Sequence, residues 1–312
     1  MKPKVAIFYT HFPHYRQAVF DALLNDPDLD VEIFYDYQGI HETIISGNQV
    51  DGHIDNRAYR FFGFYFEFGS IASSISGKFD YSIFLGNPYV LSYWLALLYL
   101  KIARKKTALW THGWYKAGPS FKDLIRNLFY KLSGRLFLYN NRAKRIGIEH
   151  GFSARSLTVV YNSLDYQLQK QIRESSMSPV GGGIEFDCTV SDYFLFVGRL
   201  VDSANVKFIV EATNEFNKLH RSAVALVIVG DGPSKESLRE LSKKTDTSVL
   251  FLGEIYEEEM LAPLFMNAVA AVSPEKVGLL AMHSFVYGCP VITHSDMNYQ
   301  MPEAEAVING ET

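Results

Sequence analysis

The sequence predicts an α/β protein built from two doubly wound, parallel-sheet domains. Three observations carry this prediction. Short apolar runs alternate with helix-periodic segments, the alternation occurs twice, and a polar, glycine-rich interval, SSMSPVGGGIEFD at 175–187, separates the two series. A length of 312 residues agrees with two domains of about 150 residues each. The expected boundaries are 1–174 for the first domain, 175–190 for a linker and 191–312 for the second.

In the first series VAIFYT (5–10), a helical QAVFDALLND and VEIFYDY (31–37) form a strand, helix, strand unit of the kind that builds a parallel sheet. YSIFLG (81–86), TALWTHG (107–113), LFLYN (136–140) and LTVVYN (157–162) continue it. The longest apolar stretch, YVLSYWLALLYL at 89–100, falls short of the roughly 20 residues that span a bilayer, and its Tyr93, Trp94 and Tyr99 read as core. The second series runs through YFLFVG (193–198), a helix at 205–219, AVALVIVG (223–230), a helix at 234–244 and VLFLG (249–253). A helix at 257–267, AVAAVSP (268–274), a helix at 279–287 and PVIT (290–293) complete it.

Composition narrows the class. Apolar content of 48% and a sequence pI near 6.1 suit a soluble globular chain. Two cysteines, Cys188 and Cys289, have neither disulfide-framework nor metal-site spacing, which predicts a reducing, cytoplasmic setting. The opening MKPKVAIFYT is soon interrupted by THFPHYR, unlike the apolar core of a signal peptide. Charge is uneven: residues 1–165 hold 19 Lys and Arg against 14 Asp and Glu, and residues 166–312 hold 11 against 20. Between 101 and 145 twelve basic residues, among them Lys122, Arg126 and Lys131, face one acid, Asp123, so an anionic partner is expected. Here basic residues alternate with the helix-spaced apolar positions of LIRNLFYKL, a pattern suited to lying on an anionic bilayer.

In open parallel sheets ligands sit at the carboxyl ends of strands, where helix N-termini attract phosphate. The loops there are THFPHYR, LGNPY, THGW, YNSLD, VGRL, VGDGP, FLGEI and SPEKVGLL. None is a GxGxxG dinucleotide fingerprint or a Walker A loop. His11, His14 and Arg16 lie at the first strand end, where one of them is expected to face the ligand. Asp231 and Gly232 read as turn formers. Glu275, Gly278 and His283 fall in PEKVGLLAMHSFVYGCPVI, an acid and a glycine-led helix start with an imidazole further in.

Taken together and in order, FVGRL, LVIVGDGP, VLFLGEI, the run Glu275, Gly278, Leu279 and GCPVI resemble the donor-binding domain of family 4 glycosyltransferases, retaining enzymes of the GT-B architecture. The resemblance is strong over 193–312 and looser over 1–165, where THGW and VVYNSLD match; the texture is that of members that build bacterial surface polysaccharides. It implies two Rossmann-like domains facing a cleft, the second holding a nucleotide sugar and the first a saccharide or lipid-linked saccharide acceptor. It further implies catalytic roles for His112 and Glu275, donor binding by Arg199, Gly278, Leu279, His283 and Glu303, and acceptor or cleft positions for His11, His14, Arg16 and Asn162. No metal or other cofactor is expected, since cations and helix N-termini can stabilise a leaving diphosphate. A nucleic-acid partner is not expected. The expected place of action is the cytoplasm, on the inner face of the cell membrane, through Lys122, Arg126 and Lys131.

The chain departs from the family pattern in four places. His283 stands where the second glutamate of E-x(7)-E belongs, Ala204 where a diphosphate-binding lysine belongs, and THFPHYR where many members have a glycine pair. The chain also stops at NGET, where the family continues, so the second domain is expected to be incomplete. A non-catalytic binding or scaffold protein on the same fold is the competing expectation.

Overall fold

A computed structural model describes residues 1–37, 53–116, 118, 120–176 and 192–310. Two compact units divide the chain, Met1–Asp165 and Tyr166–Thr312, and each is an α/β unit around a parallel sheet.

The first unit runs β1 (Lys4–Phe8), α1 (Gln17–Leu24), β2 (Asp30–Tyr35), β3 (His53–Asp55), β4 (Ala58–Phe61), β5 (Phe64–Glu67), α2 (Phe68–Ile75) and β6 (Tyr81–Leu85). It continues through α3 (Leu91–Ile102), β7 (Lys106–Thr111), α4 (Phe121–Tyr130), β8 (Arg135–Leu138), α5 (Asn141–Glu149) and β9 (Leu157–Val159). Seven strands form a parallel sheet in the order β3-β2-β1-β6-β7-β8-β9. The chain winds outward one way from β1 and the other way from β6, so the order reverses between them. Phe8, Phe34 and Phe84 occupy one level of three adjacent strands, with Phe8 stacked on the other two at 4.7 and 4.6 Å. Such aromatic contacts add about 0.5–1.5 kcal/mol each beyond burial.

The antiparallel pair β4 and β5 stands apart from the sheet. Its turn holds Phe62 at φ 46° and Gly63 at φ 82°, the left-handed geometry of a tight hairpin, and leaves the Phe62 ring 87% exposed. At its base Glu67 is fully buried and accepts from Asn56 Nδ2 at 2.7 Å and from Tyr93 Oη at 3.2 Å. Burial pushes its carboxyl pKa up to about 8, against the opposing pull of those two hydrogen bonds.

The second unit runs α6 (Tyr166–Ser176), β10 (Tyr193–Val197), α7 (Val206–His220), β11 (Ala225–Val229), α8 (Lys235–Ser242) and β12 (Val249–Gly253). It ends with α9 (Glu258–Asn267), β13 (Ala270–Ser273), α10 (Leu279–Val286) and β14 (Val291–Thr293). Its five parallel strands take the order β12-β11-β10-β13-β14, reversing between β10 and β13. Interior strand β11 is buried at every position, as its unbroken ALVIV demands.

Two expectations are corrected. The first unit ends at Asp165 rather than 174, because α6 packs on α9 and α10 of the second unit. Tyr93 is buried as expected and Trp94 half-buried, but Tyr99 is 41% exposed. The helix is apolar around most of its circumference, so its pattern did not mark a solvent side. Most of the expected linker, 177–190, lies outside the described residues, as does Cys188.

Candidate functional site

In the second unit the strands flanking the reversal, β10 and β13, end in the loops that carry Arg199 and Glu275–Gly278. This is the position at which open parallel sheets bind ligands. Arg199 is exposed, and no described residue pairs with it. Its loop is held from beneath: Leu200 N donates to Asp231 O at 2.9 Å, and Gly198 N to Val229 O at 3.0 Å. Gly230, at φ 138°, passes so close that an added Cβ would lie 2.0 Å from Gly198 O, so only glycine permits the approach. Asp231 accepts from Gly232 N and pairs with Lys235, the turn-forming role expected of it.

Glu275 is half-buried, and its Oε1 accepts from Asn205 Nδ2 at 3.1 Å, which ties the β13 loop to the start of α7. Gln300, buried, organises the same loop: Oε1 accepts from Val277 N at 2.8 Å, and Nε2 donates to Glu275 O at 3.1 Å. Gly278 caps α10 without any side-chain hydrogen bond, and a side chain there would meet only Met301 Cγ at 3.9 Å. The N–H groups of Leu279 and Leu280 thus begin a helix whose approach is open, the arrangement that attracts anions. Glu303 is buried in a short 3-10 turn, Pro302–Ala306, packed on α10.

His283 goes elsewhere. Its Nδ1 lies 3.2 Å from Glu258 Oε1 and 3.2 Å from Gln169 Nε2, and its ring stacks 5.6 Å from that of Phe265. Glu258 Oε1 also accepts from Tyr287 Oη at 2.7 Å and Gln169 Nε2 at 3.0 Å. The imidazole is thus a joint between α6, α9 and α10, a role that accounts for its chemistry without a ligand.

In the first unit the loops after β1, β6, β7 and β8 enclose a pocket of about 540 Å³. His11, Arg16, His112 and Asn162 all line it, so two of the three candidates at the first strand end reach the same space. His14 begins the 3-10 turn His14–Arg16. His11 Nδ1 shares a 3.1 Å hydrogen bond with Thr10 Oγ1. His112 sits edge-on to Tyr139 at 4.7 Å. Burial first, and the nearby Arg16 charge second, push its pKa down to about 4, so the ring is neutral near pH 7. An imidazole of that pKa is a poor proton acceptor near neutrality and a good hydrogen-bonding group. Arg16 is 3% exposed: Nη2 donates to Tyr139 Oη at 2.6 Å, and Cζ lies 5.1 Å from the Trp110 and Tyr139 ring centroids. Sequence reasoning named Arg16 but missed this aromatic cage, whose members carry no local signal.

Of the three expected membrane-surface cations, Lys122 and Arg126 also line the pocket, and Arg126 pairs with Asp123. Lys131 is exposed, over the Phe152 ring at 5.9 Å. Between them α4 exposes Phe121, Leu124, Ile125 and Leu128, an apolar stripe at helical spacing. Leu91, Leu95, Leu98 and Ile102 form a similar exposed stripe on α3. Among the described residues no helix is long and apolar enough to cross a membrane.

Two Rossmann-like units, each with its loops gathered where the strand order reverses, define the GT-B class of fold. Residues 191–312 match the family model described as "Glycosyl transferases group 1", and the chain resembles enzymes of that group. No curated protein sequence matches it. Among solved structures, the lipopolysaccharide outer core galactosyltransferase WaaB in its apo form is 16% identical, covering 93% of this chain and 80% of that one at a TM-score of 0.61. Anabaena HepE in complex with UDP and glucose is 14% identical, with coverage of 99% and 84% and a TM-score of 0.64. Methanocaldococcus jannaschii UDP-GlcNAc 2-epimerase in complex with UDP-GlcNAc and UDP is 17% identical, with coverage of 98% and 86% and a TM-score of 0.58. The fold is therefore shared by a transferase and an epimerase, and the likeness in shape does not choose between them.

Proposed function

We propose that the chain is a glycosyltransferase that moves a sugar from a nucleoside-diphosphate sugar to a saccharide or lipid-linked saccharide acceptor, with retention of anomeric configuration, in cell-surface polysaccharide synthesis. The observation that carries this reading is the pairing of an uncompensated Arg199 with the open, glycine-led start of α10, on the two strands where the second sheet reverses. The family match over the same unit favours transfer over epimerisation. Arg199 and the first N–H groups of α10 hold the diphosphate and stabilise the charge that develops as the sugar departs. Glu275, oriented by Asn205, reaches the donor sugar. His112 serves as a neutral hydrogen-bonding group in the first-unit pocket, which takes the acceptor. The reaction needs no metal under this scheme.

The apolar stripes of α3 and α4, with Lys101, Lys122 and Lys131 among them, suit an anionic bilayer on the cytoplasmic side. A binding-only role is the second reading, favoured by Ala204 and by the structural engagement of His283. A thermal-shift and turnover screen with UDP- and GDP-linked sugars decides between them. Stabilisation by a nucleotide sugar together with release of sugar in the donor's own anomeric form, followed by NMR, is expected. Binding without any transfer or hydrolysis establishes the scaffold, and inverted product overturns retention.

A further inference from the structure

Arg16 carries a charge that the fold leaves uncompensated. A guanidinium has five N–H donors, and among the described residues the side-chain hydrogen bond it makes is the one to Tyr139 Oη. Ring faces attract its charge without neutralising it. Among the described residues no ion pair reaches Arg16; Lys4 pairs with Asp30, Lys78 with Glu32 and Arg126 with Asp123. A buried cation without a counter-charge is costly to keep, and its field is strong enough to contribute to the lowered pKa of His112. The pocket around it has the same sign: Arg16, Lys122 and the Asp123-paired Arg126 line it, and no described lining residue is Asp or Glu.

We propose that this pocket binds its acceptor through an oxyanion, a phosphate, diphosphate or carboxylate, seated against Arg16. The word acceptor rests on the glycosyl-transfer reading; the anion site does not. The planar fork of donors suits two oxygens of one such group, and the Trp110 and Tyr139 rings hold the fork in place. Lys122, on the first turn of α4, adds positive potential at the wall, while the charge of Arg126 is offset by Asp123. The acceptor is thereby narrowed to molecules carrying a negative group close to the reacting hydroxyl. Sugar phosphates, uronic acids and prenyl diphosphate-linked sugars share that chemistry.

The test uses the full chain and calorimetric titration, with UDP present to occupy the second unit. Glucose 1-phosphate, glucuronate and geranyl diphosphate are each compared with a neutral counterpart, glucose or geraniol. At least one anion is expected to bind about tenfold or more tighter than its counterpart, and which one does so identifies the source of the charge. Arg16→Gln is expected to erase that preference, Arg16→Lys to keep part of it, and Arg199→Ala to leave it in place. Equal binding of charged and neutral probes, or an undiminished preference in Arg16→Gln, overturns the proposal. All three tryptophans, Trp94, Trp110 and Trp114, lie in the first unit, so their emission reports whether a variant is folded. Should Arg16→Gln not fold, the wild-type contrast and Arg16→Lys still decide. If UDP fails to bind, the glycosyltransferase reading falls, while the same titrations without UDP continue to test the anion site.

Discussion

Each sheet places an arginine beyond the first strand of its reversal, and the two are treated in opposite ways. Arg199 follows β10 by two residues, stands in solvent and is positioned by its backbone, which Gly230 and Asp231 hold from below. Arg16 follows β1 at the end of a longer loop, is buried, and is positioned by its side chain between two rings. An exposed arginine on a stiff loop is free to close on a ligand and costs little when empty. A caged one is already oriented, and its binding energy is not spent on ordering. On the proposed reading the second unit offers a general phosphate grip, and the first a preformed seat that selects by charge.

The largest effect that would break this contrast is at Arg199. Arg199→Ala is expected to lose on the order of 2–5 kcal/mol of nucleotide-sugar affinity, the usual cost of removing one partner of a desolvated charge pair, measured by calorimetry. Unchanged affinity would move the diphosphate elsewhere.

The first unit should also betray its preformed burial in its pH dependence. The folded pKa of His112, about 4, lies below the unfolded value near 6.5, so its contribution is present above pH 6.5 and lost as pH falls toward 4. The folded pKa of Glu67, about 8, lies above the unfolded value near 4.5, so its contribution is present below pH 4.5 and lost as pH rises toward 8. The spans are about 3 kcal/mol for His112 and about 5 kcal/mol for Glu67. Denaturant titrations followed by tryptophan emission should show Glu67→Gln removing the alkaline fall, and His112→Gln the acid one.

A smaller effect separates the two histidines. His283→Ala is expected to cost about 1–3 kcal/mol of stability by removing the imidazole's hydrogen bond to Glu258 and its stacking on Phe265, with nucleotide-sugar affinity unchanged. Weakened nucleotide binding in a fully stable variant would return His283 to the donor site. The smallest effect concerns α4: Leu124→Glu with Leu128→Glu should abolish sedimentation with anionic vesicles while changing stability by only about 0.5 kcal/mol, since both side chains are exposed. Sedimentation equal to wild type would remove the bilayer from the account.

The contrast also explains what could be read from sequence. Strands and their closing loops were legible because a buried parallel strand must be an unbroken apolar run, as ALVIV is, and because a turn such as Gly230–Gly232 must use glycine. Arg199, Glu275 and Gly278 sit beside such runs, so their placement followed. His283 held the right position in a family motif but takes its partners from α6 and α9, and nothing near it in sequence announces Gln169 or Glu258. Arg16 is bound to Tyr139, 123 positions away, and the hairpin of β4 and β5 hides in FFGFYFEF, whose aromatics show no alternation. Contacts between distant segments, not local preference, decided each of these.

Helix α4 bears its exposed stripe on one side, while Lys122, Arg126 and Tyr130 reach the pocket and Ile125 borders both, with Tyr130 Oη 2.7 Å from Thr111 Oγ1 beside His112. A helix with its side chains is about 10–12 Å across. Were the acceptor to carry a hydrocarbon tail, that tail would have only one helix diameter to cover between the pocket and the apolar stripe, a reach of a few isoprene units. Short-chain lipid analogues should for that reason serve in solution assays as well as their natural-length counterparts.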